Sequence, residues 1–434
     1  MRPECNRYRF DDRRLQAVNS RALPPAAIAV LVVCSATVWH PTVQSRAVGS
    51  IATAPWPYLP GSRVDVRVNG FAGPYLLRLL GPGRVNDQGS YEVPDRPNAK
   101  GATLVAGNAA GIASTNLTVV PPPPATRNEL AVASYDDGVV FHRANDFAVD
   151  GVLGIGGAPG DVAASGNRLV ALDTQGDRAT SVSRGPWSVS RVDGVPLGDQ
   201  VALDASGDTF VTNRELGGRG GLTRISPNGS VASVVTGATA EGVAVDSNRG
   251  LVYVANANDA TIAVVDIPSM RVVRRFHAVD RVFSLVLDER GTRLFAVSNQ
   301  STDPPFSAAG SVVAFDVRSQ PHRIARSADL TFPLGIAYDG ARGRVFVTDE
   351  SANIVYVLNA ATLRAQRAPL STCETPWKPY LDAAAHRLYV PCARSSQVDA
   401  FDDVTLRRVA GAPFATGGYP LAVAAWHGSQ RRGT

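Results

Sequence analysis

Residues 251–276 read LVYVANANDATIAVVDIPSMRVVRRF, three short hydrophobic runs separated by small polar breaks. The runs are Leu251 to Ala255, Thr261 to Asp266 and Met270 to Phe276. Val, Ile, Tyr and Phe suit a pleated, half-buried surface, whereas Asn256, Asn258, Asp259 and the Ile267-Pro268-Ser269 break carry turn chemistry. The pattern predicts three antiparallel strands. An open three-stranded sheet leaves its apolar faces wet, so this meander needs neighbours of its own kind.

Those neighbours are written along the chain. GVAVDSNRGLVYVAN starts at Gly242 and GIAYDGARGRVFVTD at Gly335. Weaker copies are QVALDASGDTFVTN from Gln200, SLVLDERGTRLFAVSN from Ser284, KPYLDAAAHRLYVPC from Lys378 and DVAASGNRLVALDT from Asp161, and a half-copy, AVAAWHG, starts at Ala422. The markers Asp161, Gln200, Gly242, Ser284, Gly335, Lys378 and Ala422 recur every roughly 40 to 44 residues. The one longer step holds an insertion, NQSTDPPFSAAG at Asn299 to Gly310, a candidate contact loop. Four strands per repeat of this length are the signature of a β-propeller blade. The strands from Glu129 to Val149 lack a first strand, and Pro420 to Trp426 is a first strand without followers. Joined, they complete a seventh blade and close the ring.

LVYVANANDATIAVVDIPSMRVVRRF and RGRVFVTDESANIVYVLNAATLRAQ resemble the YVTN-type repeats of seven-bladed propellers in exported bacterial and archaeal proteins. The resemblance spans about Asn128 to Gly428 and implies an all-β fold. It implies no activity, because the repeated residues are strand and turn residues.

The formal net charge is +5 and the pI about 9.2, but only Lys100 and Lys378 are lysines. The charge is Arg, spread over every repeat and partly over the first 21 residues. That distribution describes a solvated surface and excludes a nucleic-acid stripe. Arg7, Arg9, Arg13, Arg14 and Arg21 precede the uncharged run Ala22 to Trp39, the order of an export signal. Residues 1–47 are therefore expected to be a signal or signal anchor, with residues 22–39 as the membrane-anchoring alternative. Export fits the cysteines: outside the leader only Cys373 and Cys392 remain, placed near one another across a hairpin, and a disulfide is expected in an oxidising, extracytoplasmic compartment.

Between leader and propeller, residues 55–120 hold short alternating strands at RVDVRVNG, PYLLRLLG, SYEVP, ATLVAG and STNLTVV. This predicts a small β-sandwich that resembles the immunoglobulin-like modules of exported bacterial proteins. Residues 121–127 begin with PPPP, a stiff spacer, and residues 128–428 are the propeller. The module is expected either to hold the propeller away from a surface or to pack on it as a lid.

No catalytic motif emerges. The six histidines share no metal-ligand spacing. GGRGG and GIGGAPG lack the Lys-Ser/Thr that completes a phosphate loop, and DASGD at Asp204 reads as a tight turn. What remains is the channel mouth, lined by the residues leading into each first strand. There Asp161, Asp199 and Glu241 form an acidic arc on successive blades, facing Phe283, Trp377 and Lys378. Two functions follow. The first is a non-catalytic binding protein that takes a protein, glycan or small molecule at the mouth and rim, without a cofactor. The second is a lactonase-like or lyase-like enzyme holding a divalent cation such as calcium on Asp161, Asp199 and Glu241. Propeller enzymes of that kind add Asn or His to the acids, and no such residue falls at the inner positions.

Overall fold

In the computed structural model the meander of residues 251–276 forms strands Leu251–Asn256, Thr261–Asp266 and Arg271–His277, paired antiparallel in that order. The innermost strand beside them, Ala240–Asp246, completes a four-stranded sheet. The structure describes residues 49–429 except 72–73, 86–89, 97, 110, 279–280 and 300–308. The export segment and most of the insertion, Phe306 included, lie outside the described residues, and no described helix is long and apolar enough to cross a membrane.

Seven four-stranded antiparallel sheets are present among the described residues. Six are built from consecutive strands, with Pro159–Ser165, Gly198–Leu203, Ala240–Asp246, Val282–Leu287, Pro333–Asp339 and Tyr380–Asp382 as their first members. The remaining sheet joins the two ends of this region: Pro420–Trp426 lies beside Glu129–Ser134, with Trp426 opposite Glu129 and Pro420 opposite Ser134. The first strands pack against one another in succession around a ring, and the last of them returns to Pro420–Trp426. The fold is all-β and of propeller type.

Alternation builds the core. In Leu251–Asn256 the side chains of Tyr253 and Ala255 enter one inter-sheet cluster, while Val252 and Val254 enter the next. Each sheet is thus buried on both faces, which is why its middle strands read as near-continuous hydrophobic runs.

Six of the seven first strands share one irregularity. Register shifts fall at Pro159/Asp161, Gly198/Val201, Ala240/Val243, Val282/Ser284, Pro333/Ile336 and Pro420/Ala422. An extra residue in one strand bends it and re-aims the neighbouring side chains. Here the bend falls at the marker positions found in the sequence.

Ahead of the propeller lie sheets of two, three and three short strands between Ser50 and Leu117. RVDVRVNG, expected as one strand, is split: Arg63–Val64 pairs with Tyr91–Glu92, whereas Arg67–Asn69 pairs with Ser50–Ala52. Of the two arrangements the sequence left open, the structure takes the packed one. Strand Val149–Leu153 would otherwise leave a row of edge groups unpaired. Leu59 N donates to Val152 O and Val152 N to Pro57 O, both at 2.8 Å, and Arg63 N donates to Gly154 O at 2.7 Å. Leu59 itself is fully buried in the cluster of Phe141, Trp187 and Trp426.

Cys373 and Cys392 form a disulfide with Cα atoms 5.7 Å apart. Its placement differs from the hairpin expectation. Cys373 follows Leu370–Ser371, the outer strand of one sheet, and Cys392 ends Arg387–Cys392 in the next, so the bridge ties two sheets together.

Candidate functional site

The mouth is assembled by hydroxyl groups of the repeat itself. In TFVTN, Thr212 accepts a hydrogen bond from Gln200 N at 3.0 Å and donates to Glu241 O at 2.5 Å. In VFVTD, Thr348 accepts from Gly335 N at 3.0 Å and donates to Trp377 O at 2.6 Å. Each threonine therefore ties the marker of its own sheet to the residue just before the marker of the next. The following Asn or Asp restrains the loop entering the same sheet: Asn213 Nδ2 donates to Pro196 O, and Asp349 Oδ2 accepts from Phe332 N, both at 2.9 Å. A repeat that reads only as strand and turn thus fixes the chain entries of these two sheets and of the two that follow them.

Side chains then close the opening from across the ring. Lys378 Nζ donates to Asp161 Oδ2 at 2.6 Å, reaching past the closure sheet. Asp161 is buried and also accepts from Val201 N at 2.8 Å and from Val162 N at 2.9 Å. Burial nevertheless pushes its carboxyl up, against the pull of Lys378 and the backbone. Gln200 Nε2 donates to Phe283 O at 3.2 Å, across the intervening sheet. Phe283 meets Trp377 edge to face, ring centroids 6.2 Å apart.

A cavity of about 80 Å³ lies between these groups, lined by Asp161, Asp199, Gln200, Phe283, Trp377 and Lys378, with Arg214 at its side. Five of the six residues expected at the mouth line it. Glu241 does not figure in that lining, though its charge acts on Arg214 and that of Asp199 acts on it. Asp199 is ion-paired with Arg214, whose guanidinium is held more firmly protonated by Asp199 and, after burial is overcome, by Glu241. Glu241 is buried, 3.7 Å from Arg281, and its carboxyl is pushed up to about 8 by burial and then by the charge of Asp199.

The acidic arc does not fit a cation. Each acid already faces a positive side chain: Asp161 faces Lys378, Asp199 faces Arg214, and Glu241 faces Arg281. Among the described residues no group of three or more His, Cys, Asp or Glu side chains is arranged to hold a metal ion. A calcium site needs six to eight oxygens converging within 2.6 Å, which carboxylates committed to separate cations do not offer. DASGD is a turn, as expected: Asp204 Oδ1 accepts from Ser206 N at 2.9 Å and Asp208 N at 2.8 Å.

Two of the residues that line the cavity each hold a buried polar atom without a partner. Trp377 Nε1 is a buried donor and Gln200 Oε1 a buried acceptor, and neither makes a hydrogen bond. With Gln200 Nε2 committed to Phe283 O, its carbonyl oxygen is free to accept. The sequence placed Trp377 at the mouth but gave no weight to Gln200 or Arg214. Both follow from the repeat once the marker and the residue after VTN are compared between blades.

Neither a protein-family model nor a curated relative matches the sequence. Solved structures do. A functionally unknown protein from Desulfotomaculum acetoxidans is similar with TM-score 0.58 at 14% identity, over 70% of this chain and 100% of that one. The periplasmic gluconolactonase PpgL of Pseudomonas aeruginosa is similar with TM-score 0.55 at 13% identity, over 70% and 99%. The β-propeller domain of Cps50 (Swd1) from Myceliophteria thermophila is similar with TM-score 0.53 at 12% identity, over 63% and 93%. At such identities the likeness is one of fold, and the fold is that of a β-propeller.

Proposed function

We propose that this chain is an exported, non-catalytic propeller that binds the hydroxyl-rich end of a ligand, of the glycan type, at its channel mouth. The observation that carries the reading is the unpartnered donor and acceptor, Trp377 Nε1 and Gln200 Oε1, on two residues that line one cavity. Leaving a buried donor and a buried acceptor unmet costs on the order of 1–3 kcal/mol each. A hydroxyl satisfies both, accepting from the indole N–H and donating to the amide oxygen. The Trp377 and Phe283 rings supply the apolar surface on which a sugar C–H face rests. A cavity of about 80 Å³ takes the tip of such a ligand, since whole small-molecule sites run to roughly 300–1,000 Å³.

The extracytoplasmic setting is supported by the positive-then-apolar leader and by the disulfide. We read the seven sheets as the blades of a YVTN-type ring, and the docked module at residues 55–120 as immunoglobulin-like. In this reading the module is a lid on the propeller wall, and no metal takes part in binding.

The second reading is lactonase-like or lyase-like chemistry. Its support is Glu241, a buried carboxyl that exchanges its proton near neutral pH, together with the gluconolactonase among the similar folds. Hydrolysis of gluconolactone by the purified chain, lost in Glu241→Gln, would establish it. Saturable binding of neutral oligosaccharides without turnover, abolished by Trp377→Ala and unaltered by chelator, is the outcome expected for the binding protein.

A further inference from the structure

The opposite face of the ring carries a second cavity. The mouth residues lie at or just before the starts of the first strands, whereas Ser165 and Trp426 end them, so a pocket lined by Ser165 and Trp426 opens at the other end of these strands. That pocket has a volume of about 590 Å³ and is walled by Ala125, Ala164, Tyr380, Ala425 and Trp426, with Arg184 among its lining. Its walls are mostly apolar or aromatic.

Arg184 ends strand Arg178–Arg184 and is 6% exposed. Its Nη1 donates to Arg127 O at 2.7 Å, and its guanidinium lies 4.0 Å from the centroid of the Trp426 ring. These two contacts fix the position and plane of the group. Its other donors, Nε and Nη2, are buried and make no hydrogen bond. These two are not an arbitrary pair: they point along one edge of the guanidinium, the edge that grips a carboxylate with two parallel hydrogen bonds. Glu129, the acid that acts on Arg184 electrostatically, has its Oε1 bound to Arg127 Nε at 2.6 Å. Burial outweighs its attraction and draws the arginine down to about 10. Glu129 Oε2 is also buried and makes no hydrogen bond, so the acid does not occupy the Nε and Nη2 edge of Arg184, which stays a planar, pre-aligned fork on a residue that lines the chamber.

We propose that this pocket binds a small organic acid, its carboxylate gripped by Nε and Nη2 of Arg184 and its apolar body resting among Trp426, Tyr380 and the alanines. The site is separate from the channel mouth and does not rest on the function assigned there. A fork of two N–H groups is lost when lysine replaces arginine even though the charge remains.

The test is calorimetric titration of the full chain with benzoate and with inorganic phosphate, for wild type, Arg184→Lys, Arg184→Gln and Trp377→Ala. The expected result is saturable benzoate binding, tighter than that of phosphate, weakened by roughly tenfold or more in both Arg184 variants and unchanged in Trp377→Ala. Should Arg184→Gln fail to fold, Arg184→Lys carries the comparison. Absence of benzoate binding to the wild type, equal binding by Arg184→Lys, or phosphate binding as tight as benzoate would each overturn the proposal.

Discussion

Two buried titratable residues make opposite statements about pH. Glu241 has its carboxyl raised to about 8 by burial, so between its ordinary value of 4.5 and about 8 the folded chain holds a proton that the unfolded chain has released. Stability from this group falls as pH rises through that window. Glu241→Gln removes the penalty, and the variant is expected to outlast the wild type in urea unfolding at pH 9 while matching it more closely at pH 5. His142 runs the other way. It is fully buried, with Nδ1 donating to Phe147 O and Nε2 accepting from Thr416, each at 2.9 Å, and burial draws it down to about 4. Below its ordinary 6.5 the unfolded chain takes up the proton first, so stability falls as pH drops from 6.5 toward 4. Unfolding midpoints of His142→Gln should lose that part of the acid dependence.

At the scale of strands and turns, the argument turns on a threonine. Thr348 holds Trp377 O at 2.6 Å and Gly335 N at 3.0 Å. Thr348→Val preserves shape but strands a carbonyl and an amide, which predicts a loss of about 1–3 kcal/mol and weaker ligand binding at the mouth through displacement of Trp377. Equilibrium unfolding and titration of the same variant check both. The disulfide acts at the same scale, across a sequence separation of 19 residues. Reduction, or Cys373→Ser with Cys392→Ser, is expected to cost about 3 kcal/mol, read as a lowered unfolding midpoint. The strands were legible because alternation and turn residues recur: Leu251 to Ala255 and Thr261 to Asp266 are found within a residue of their expected ends. The bulge at six of the seven markers was not legible, since it reflects strand register rather than residue type. Nor were the partners of the mouth acids. Lys378 meets Asp161 across 217 residues of sequence, and nothing local to either residue announces the other.

For the molecule as a whole, closure depends on Pro420–Trp426 pairing with Glu129–Ser134. A chain ending before Pro420 lacks the first strand of one sheet, together with Trp426 and its place beside Phe141 and Trp187. It is expected to lose cooperative unfolding, as followed by circular dichroism during heating. The docking of the N-terminal module was left open by the sequence, because a proline run and five short strands are compatible with a stalk or a lid. What decides it is the edge of Val149–Leu153, whose exposed groups Pro57 and Leu59 satisfy.

The central claim is that the mouth takes a hydroxyl between Trp377 and Gln200 without a metal. The most direct measurement is calorimetric titration of the full chain with a panel of neutral disaccharides, repeated with Trp377→Ala, with Gln200→Leu, and with chelator added to the wild type. The account predicts saturable binding of at least one sugar, weakened by roughly tenfold or more in both variants and unchanged by chelator. Binding that survives both substitutions, or that vanishes with chelator, would contradict it, as would failure of every sugar to bind.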